Sequence, residues 1–210
     1  MKLPSKEIER KLLEDYDFVV GVDEVGVGCL AGPVVACAVA FDKVFFNKTH
    51  EQFDRLRDSK LLSARQREKF SEELKKEEGL RFEISLSEVG VIDRINIYQA
   101  AKLTMLKAVK ALQLKEKAMI LVDGPAKIPG WSGDQEAIVK GDQKVFAIAC
   151  ASILAKVYRD KLMTEYAERF PGYGFEQHKG YGTKLHLEQL TALGPCSLHR
   201  RSFAPVAALL

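Results

Sequence analysis

The sequence predicts an α/β domain in which short buried strands alternate with helices. Three observations carry that expectation. Apolar, largely β-branched runs of strand length recur at 18–22, 34–41 and 119–122. Segments between and after them place their apolar residues at helical spacing. Acidic residues stand where strands end: Asp23 and Glu24, Asp123, and Asp142. The 210 residues suffice for one well-buried domain, or one domain with a small helical appendage. With 47% hydrophobic and 29% charged residues the chain reads as an ordinary globular protein, which excludes the disordered and fibrous classes. A net charge of +3 tolerates a polyanionic partner without demanding one.

From the N-terminus, residues 5–15 form a short charged helix, and Phe18 to Val22 is a buried strand running into Asp23 and Glu24. Gly26, Gly28 and Gly32-Pro33 punctuate a turn before the strand Val34 to Phe41, so these two strands pair as a hairpin-like unit. Ser63, with Gln66 three residues on, opens a surface helix over 63–78 that Gly79 closes. Arg81 to Leu86 alternates as a half-buried strand does, and Asp93 is expected to cap a long helix reaching Leu112. Met119 to Val122 ends in Asp123, and Asp142 closes a short extended segment, 137–141. A long helix over 145–170 carries Ser152, Lys156 and Asp160 four residues apart on one face. After Pro171 the chain turns glycine-rich and aromatic, with a last helix near 184–193 and a basic tail containing His199-Arg200-Arg201. The expected division is 1–170 as the catalytic domain and 171–210 as a C-terminal helical extension packed on it.

Cys29, Cys37, Cys150 and Cys196 are scattered and read as free thiols. The charged start MKLPSKEIERKLLEDYD lacks a secretory apolar stretch, and no segment is apolar for long enough to span a bilayer. The expected location is a reducing cytoplasm.

Adjacent acids at the end of a buried strand cost desolvation and mutual repulsion, so a cation is expected beside them. On a straight strand Asp23 and Glu24 point to opposite faces; they serve one site if the backbone turns at once, as the glycines permit. Four acids without a matching cysteine and histidine set favour oxygen-coordinated Mg²⁺ or Mn²⁺ over zinc. Two such ions about 3.5–4 Å apart can drive phosphodiester hydrolysis.

The segments GVDEVGVGCLAGPVVACAVA, DSKLLS, INIYQA, LVDG, KGD, ASILAKVYRD, HKGYGTKLH and LGPCSLHRRSF follow one another in this order from Gly21 to Phe203. Together they resemble ribonuclease HII. The resemblance implies a ribonuclease H-like fold, a mixed sheet flanked by helices. It implies that Asp23, Glu24, Asp123 and Asp142 are catalytic and bind Mg²⁺ or Mn²⁺. The implied substrates are RNA–DNA hybrids and duplex DNA containing ribonucleotides, cut 5′ of the ribonucleotide by a two-metal-ion mechanism that leaves a 3′-hydroxyl and a 5′-phosphate. No membrane or obligate protein partner is expected, and the chain is expected to act as a monomer.

For substrate contacts, Gly26-Val27-Gly28 matches the family's Gly-Arg/Lys-Gly segment, with valine where a basic residue is usual. Tyr181 resembles the tyrosine that packs on the sugar beyond the ribonucleotide. Lys60, Asn96, Gln99, Ser152 and Lys156 are further candidates, because positioning contacts to nucleic acid come largely from Lys, Arg, Ser and Asn. His178, His186 and His199 are left out of catalysis, since lone histidines are usually structural. The rival readings are a ribonuclease HIII-like enzyme and a catalytically silent hybrid-binding protein. The former carries an added N-terminal domain, for which the residues before the first strand leave no room; the latter would gain by shedding acids that repel phosphate.

Overall fold

The computed structural model describes residue 4, residues 6–48, residue 53 and residues 62–210. Lys60 lies outside the described residues.

A five-stranded mixed sheet forms the centre, in the order β3-β2-β1-β4-β5. β1 (Phe18–Val25), β2 (Val34–Phe41) and β3 (Leu80–Ser87) pair antiparallel in sequence. β4 (Ala118–Asp123) adds to β1 in parallel, and β5 (Gln135–Ile138) adds to β4 in parallel. β2 reads VVACAVAF and is buried along its whole length, as a strand covered on both faces requires.

Those two faces belong to two helices. The long helix α6 (Phe146–Arg169) packs its apolar first half on Val19, Val35, Cys37, Val39, Phe41 and Leu121. On the opposite face α5 (Ile97–Ala111) sets Met105, Ala108 and Val109 against Val20, Val22, Ala36, Ala38 and Ile120. Gly21 admits the close approach of α6. A Cβ there would stand 2.1 Å from the carbonyl carbon of Ala147, an overlap no side chain relieves.

The smaller elements are α1 (Glu7–Leu12), α2 (Lys43–Phe46), α3 (Ala64–Leu74) and α4 (Val89–Ile95). Beyond α6 stand α7 (Phe175–His178), α8 (Lys184–Leu193) and α9 (Ala204–Ala207). Segment 171–210 is stitched to the β1–β2 connection by two isolated bridges, Cys29 to Tyr181 and Ala31 to His199.

Several boundaries differ from the sequence expectation. Ser63 and Gln66 do form the reciprocal cap of α3, but the helix stops at Leu74. The chain must turn there to bring Gly79 onto Asp42, whose N–H donates to the Gly79 carbonyl as β3 enters its register. Asp93 does not cap the long helix. It lies inside α4, and its carboxylate accepts from the N–H groups of Arg201 and Ser202 at 3.1 and 3.0 Å. The cap of α5 is Asn96, whose side chain accepts from the Gln99 N–H at 3.0 Å. Asp142 does not end a strand: β5 stops at Ile138, and Asp142 sits in a 3-10 turn, Gly141–Gln143. Within the basic tail His199 and Arg200 are buried.

Candidate active site

At the carboxyl end of β1 and β4 the parallel register pairs Val22 with Val122, so Asp23 and Asp123 emerge side by side from adjacent strands. β1 runs on to Val25 before it turns at Gly26, which departs from the expected immediate turn. Asp23 and Glu24 therefore keep the alternation of a strand, Asp23 on the α6 side and Glu24 toward α5. They reach one cleft because it opens over the end of the sheet rather than over one face.

That cleft, of about 290 Å³, is lined by Asp23, Glu24, Asp123 and Asp142, by Ser152 and Lys156 from α6, by Val25 to Gly28, and by Tyr181. Asp23 is buried and accepts from the Glu24 N–H at 2.8 Å and from the Ser152 hydroxyl. Burial holds its carboxyl well above the usual range, and the charges of Glu24 and Asp123 push it further the same way. Asp123 accepts from the Gly141 N–H at 2.7 Å, which ties β4 to the turn that carries Asp142.

As they stand, no three acid, histidine or cysteine side chains among the described residues close around an ion. The donor set nevertheless fits a hard divalent cation: all its side-chain donors are oxygens, they rim an open cleft, and their mutual repulsion is what such a charge relieves.

Behind the lining of the cleft stand basic side chains that the site residues expected from the sequence do not include. Arg200 donates to the carbonyls of Gly26 at 2.7 Å, Val27 at 3.0 Å and Gly32 at 3.0 Å. Arg159 donates to the carbonyls of Ala31, Pro33 and Lys179. Gly26 has φ +93°, and a Cβ there would meet the Arg159 Nε at 2.3 Å, so the turn needs glycine on both counts. Arg200 thus uses one lone pair on each of the Gly26 and Val27 carbonyls and fixes the path of the turn. Lys102, from α5, brings a third cation: its Nζ donates to the Ala126 carbonyl at 2.7 Å and feels the charges of Glu24 and Asp123. Burial lowers its pKa, the two carboxylates opposing. Arginines in LHRRSF and YRD look like solvated positions in sequence; only burial marks them.

Lys156 pairs with Asp160 at 2.7 Å and lies 5.4 Å from the Tyr181 ring centre. Tyr181 is 38% exposed, and its hydroxyl and the Cys29 thiol are hydrogen-bonded. Val27 is exposed beside it. Asn96 and Gln99 lie outside the cleft, both exposed, with the Asn96 side chain occupied in capping α5. A larger groove between α3 and α6, of about 480 Å³, carries mixed charge and none of the four acids.

A sequence model of the ribonuclease HII family matches residues 20–206. The chain belongs to the ribonuclease HII family. As such it is an endoribonuclease of the ribonuclease H class. It is 48% identical to the ribonuclease HII of Caldicellulosiruptor bescii over 94% of this chain and 92% of that one. The ribonuclease H2 structure from Pyrococcus horikoshii superposes with a TM-score of 0.75 at 24% identity, covering 91% of this chain and 96% of that one. Bst-RNase HIII in complex with Mn²⁺ superposes at 0.66 with 17% identity, over 93% of this chain and 70% of that one. These two likenesses agree with the ribonuclease H-like mixed sheet expected from the sequence. Among the described residues no helix of this ribonuclease HII family member is long and apolar enough to cross a membrane.

Proposed function

We propose that the cleft hydrolyses RNA phosphodiesters in RNA–DNA hybrids and cuts on the 5′ side of single ribonucleotides embedded in duplex DNA, leaving a 3′-hydroxyl and a 5′-phosphate. The observation that carries this is the convergence of the four acids with the Gly26–Gly28 turn and Tyr181 in one cleft. Asp23, Glu24, Asp123 and Asp142 would hold Mg²⁺ or Mn²⁺, in a two-ion arrangement; a Mn²⁺ complex of Bst-RNase HIII, a protein of the same fold, supports a divalent ion. Bound there, such ions make a water molecule nucleophilic at neutral pH and stabilise charge on the leaving oxygen.

The protein's own groups do the rest. Ser152 and the Glu24 N–H orient the Asp23 carboxylate, and Gly141 orients that of Asp123. Backbone N–H and C=O groups of the Gly26–Gly28 turn would read the ribose 2′-hydroxyl, a group that both donates and accepts. Valine at 27 gives up a phosphate contact that a basic residue would make, leaving Lys156 and Ser152 as the side chains on the phosphate path. The Tyr181 ring packs on the sugar 3′ of the ribonucleotide and favours deoxyribose there. Segment 171–210 acts as an extension that completes the catalytic domain of 1–170. The same reading takes the protein to act in the cytoplasm as a monomer without an obligate protein partner.

Burying a 2′-hydroxyl against the ring without a partner costs about 1–3 kcal/mol, a tenfold to hundredfold preference for the RNA-to-DNA junction. The test is kcat/KM on a single-ribonucleotide duplex and on an all-RNA hybrid, at one salt concentration, for the natural protein and Tyr181→Ala. The variant should lose far more on the single-ribonucleotide duplex. Equal losses reduce Tyr181 to a general contact, and a natural protein unable to cut that duplex defeats the reading.

A further inference from the structure

Three of the chain's four histidines, His178, His186 and His199, are buried together behind Tyr181. The His178 and His186 rings lie nearly parallel with centres 4.2 Å apart, and Phe175 meets both edge-on. A neutral imidazole carries one donor and one acceptor, and the backbone partners fix which is which in every ring. The Gly180 N–H points at His178 Nδ1, 3.1 Å away, so His178 carries its hydrogen on Nε2 and donates to the Tyr173 carbonyl at 2.8 Å. His186 Nδ1 faces the Tyr181 carbonyl at 2.9 Å; a carbonyl only accepts, so the hydrogen is on Nδ1 and Nε2 is bare. The Cys196 N–H donates to His199 Nδ1 at 3.0 Å, which puts the His199 hydrogen on Nε2. That hydrogen is aimed at the bare Nε2 of His186, 3.1 Å away.

Every ring nitrogen is thus used, and in one direction only. A proton added to any ring would set two N–H groups against each other. Burial agrees, pushing all three rings below their ordinary value and His199 to about 4. The relay runs from Cys196 through His199 and His186 and ends on the carbonyl of Tyr181, whose hydroxyl is held from the other side by Cys29. The next residue after His199 is Arg200, which grips the carbonyls of the Gly26–Gly28 turn across the cleft.

We propose that His199 and His186 are positioning residues for ribonucleotide recognition: their one-way hydrogen-bond relay fixes the Tyr181 backbone, and with it the ring, against the sugar 3′ of the cut. The inference rests on the reading of Tyr181 as the sugar-packing ring. It gives the relay a role that filling space does not require, because an apolar cluster of the same volume would pack without directional bonds.

Two substitutions at one position separate positioning from packing. The amide nitrogen of asparagine reaches where His Nδ1 sits, whereas that of glutamine reaches where Nε2 sits. His186→Asn therefore keeps the bond to Tyr181, and His186→Gln loses it while keeping reach toward His199. The readout is the ratio of kcat/KM on the single-ribonucleotide duplex to that on the all-RNA hybrid, with melting temperature measured beside it. His186→Gln should lower the ratio about tenfold, the effect of one lost hydrogen bond, and His186→Asn should hold it within about twofold. Ratios that follow melting temperature instead of the retained atom overturn the proposal. A natural protein without junction preference overturns both this inference and the Tyr181 reading; a natural protein with the preference, kept in His186→Gln, overturns the relay alone. Nitrogen-15 spectra of histidine-labelled natural protein test the geometry without any variant. They should show Nε2–H tautomers for His178 and His199 and Nδ1–H for His186, all neutral at pH 7, and any other pattern overturns the relay.

Discussion

Glu9 offers a quantitative test of how α6 is held at the start of the core. Its side chain, fully buried, reaches from α1 to the first turn of α6, where one oxygen accepts from the Ala147 N–H at 2.8 Å and the carboxylate also meets the Phe146 N–H. The second oxygen is buried without a hydrogen bond among the described residues. Burial raises the carboxyl from 4.5 to about 7, against the opposing pull of the helix N–H groups. In the window between those values the folded protein holds a proton that the unfolded chain has released, so stability falls as pH rises through it. At about 1.4 kcal/mol per pH unit, the gap from 4.5 to about 7 corresponds to about 3 kcal/mol, of which about 2.5 falls between pH 5 and pH 8. Glu9→Gln keeps the size and an acceptor for Ala147 but cannot ionise. The assay is denaturant unfolding of both proteins at pH 5 and pH 8, taking variant minus natural so that other titrating groups cancel. That difference should move in favour of the variant by about 2.5 kcal/mol. A difference constant to within about 0.5 kcal/mol would show that Glu9 is not a neutral acid in the folded state, and would refute the reasoning.

Two further outcomes follow from the cleft. Asp23→Asn should cut cleavage by more than the roughly hundredfold that supporting groups around a metal command, with hybrid binding largely kept. The metal-free melting temperature should not fall, because the change replaces a buried carboxyl, whose charged form burial, Glu24 and Asp123 all disfavour, with a neutral group that keeps an acceptor for the Glu24 N–H. Full Mg²⁺-dependent activity in this variant would sink the assignment. Val27→Arg should tighten hybrid binding modestly and steepen its salt dependence by about one phosphate contact, with ribose preference hardly altered. Ribose discrimination appearing only in Val27→Arg would show that side chain, not backbone, reads the hydroxyl.

The strands were legible because burial on both faces leaves a continuous apolar record, as in β2, and the start of α3 was legible because Ser63 and Gln66 act within one turn of each other. What depended on distant partners was not. Asp93 looks like a cap in sequence, but its partners Arg201 and Ser202 lie more than a hundred residues away, and Asn96 took its place. Asp23, Glu24 and Asp123 stood out because carboxylates at the ends of buried strands are costly; their convergence depended on the parallel register of β1 with β4, and that of Asp142 on the bond from the Gly141 N–H to Asp123, neither of which the local pattern encodes. The arginines behind the cleft are illegible for the opposite reason. Arg159 and Arg200 are of a residue type usually solvated, and only their burial and their backbone partners place them behind the Gly26–Gly28 turn; His186 and His199, expected to be structural, are buried, but their partners at Tyr181 and Cys196 are not encoded locally. Lys60 falls outside the described residues, so its expected contact rests on the sequence alone.

The central claim is that the four-acid cleft cuts RNA with a divalent ion, and the most direct measurement is product analysis of an end-labelled RNA–DNA hybrid with Mg²⁺, with Mn²⁺ and with a chelator, for the natural protein and Asp123→Asn. The expected products are 3′-hydroxyl and 5′-phosphate ends that form with either ion, vanish with the chelator and are absent in Asp123→Asn. Cleavage that persists in the chelator, or in Asp123→Asn with Mg²⁺ at the natural rate, would contradict the claim.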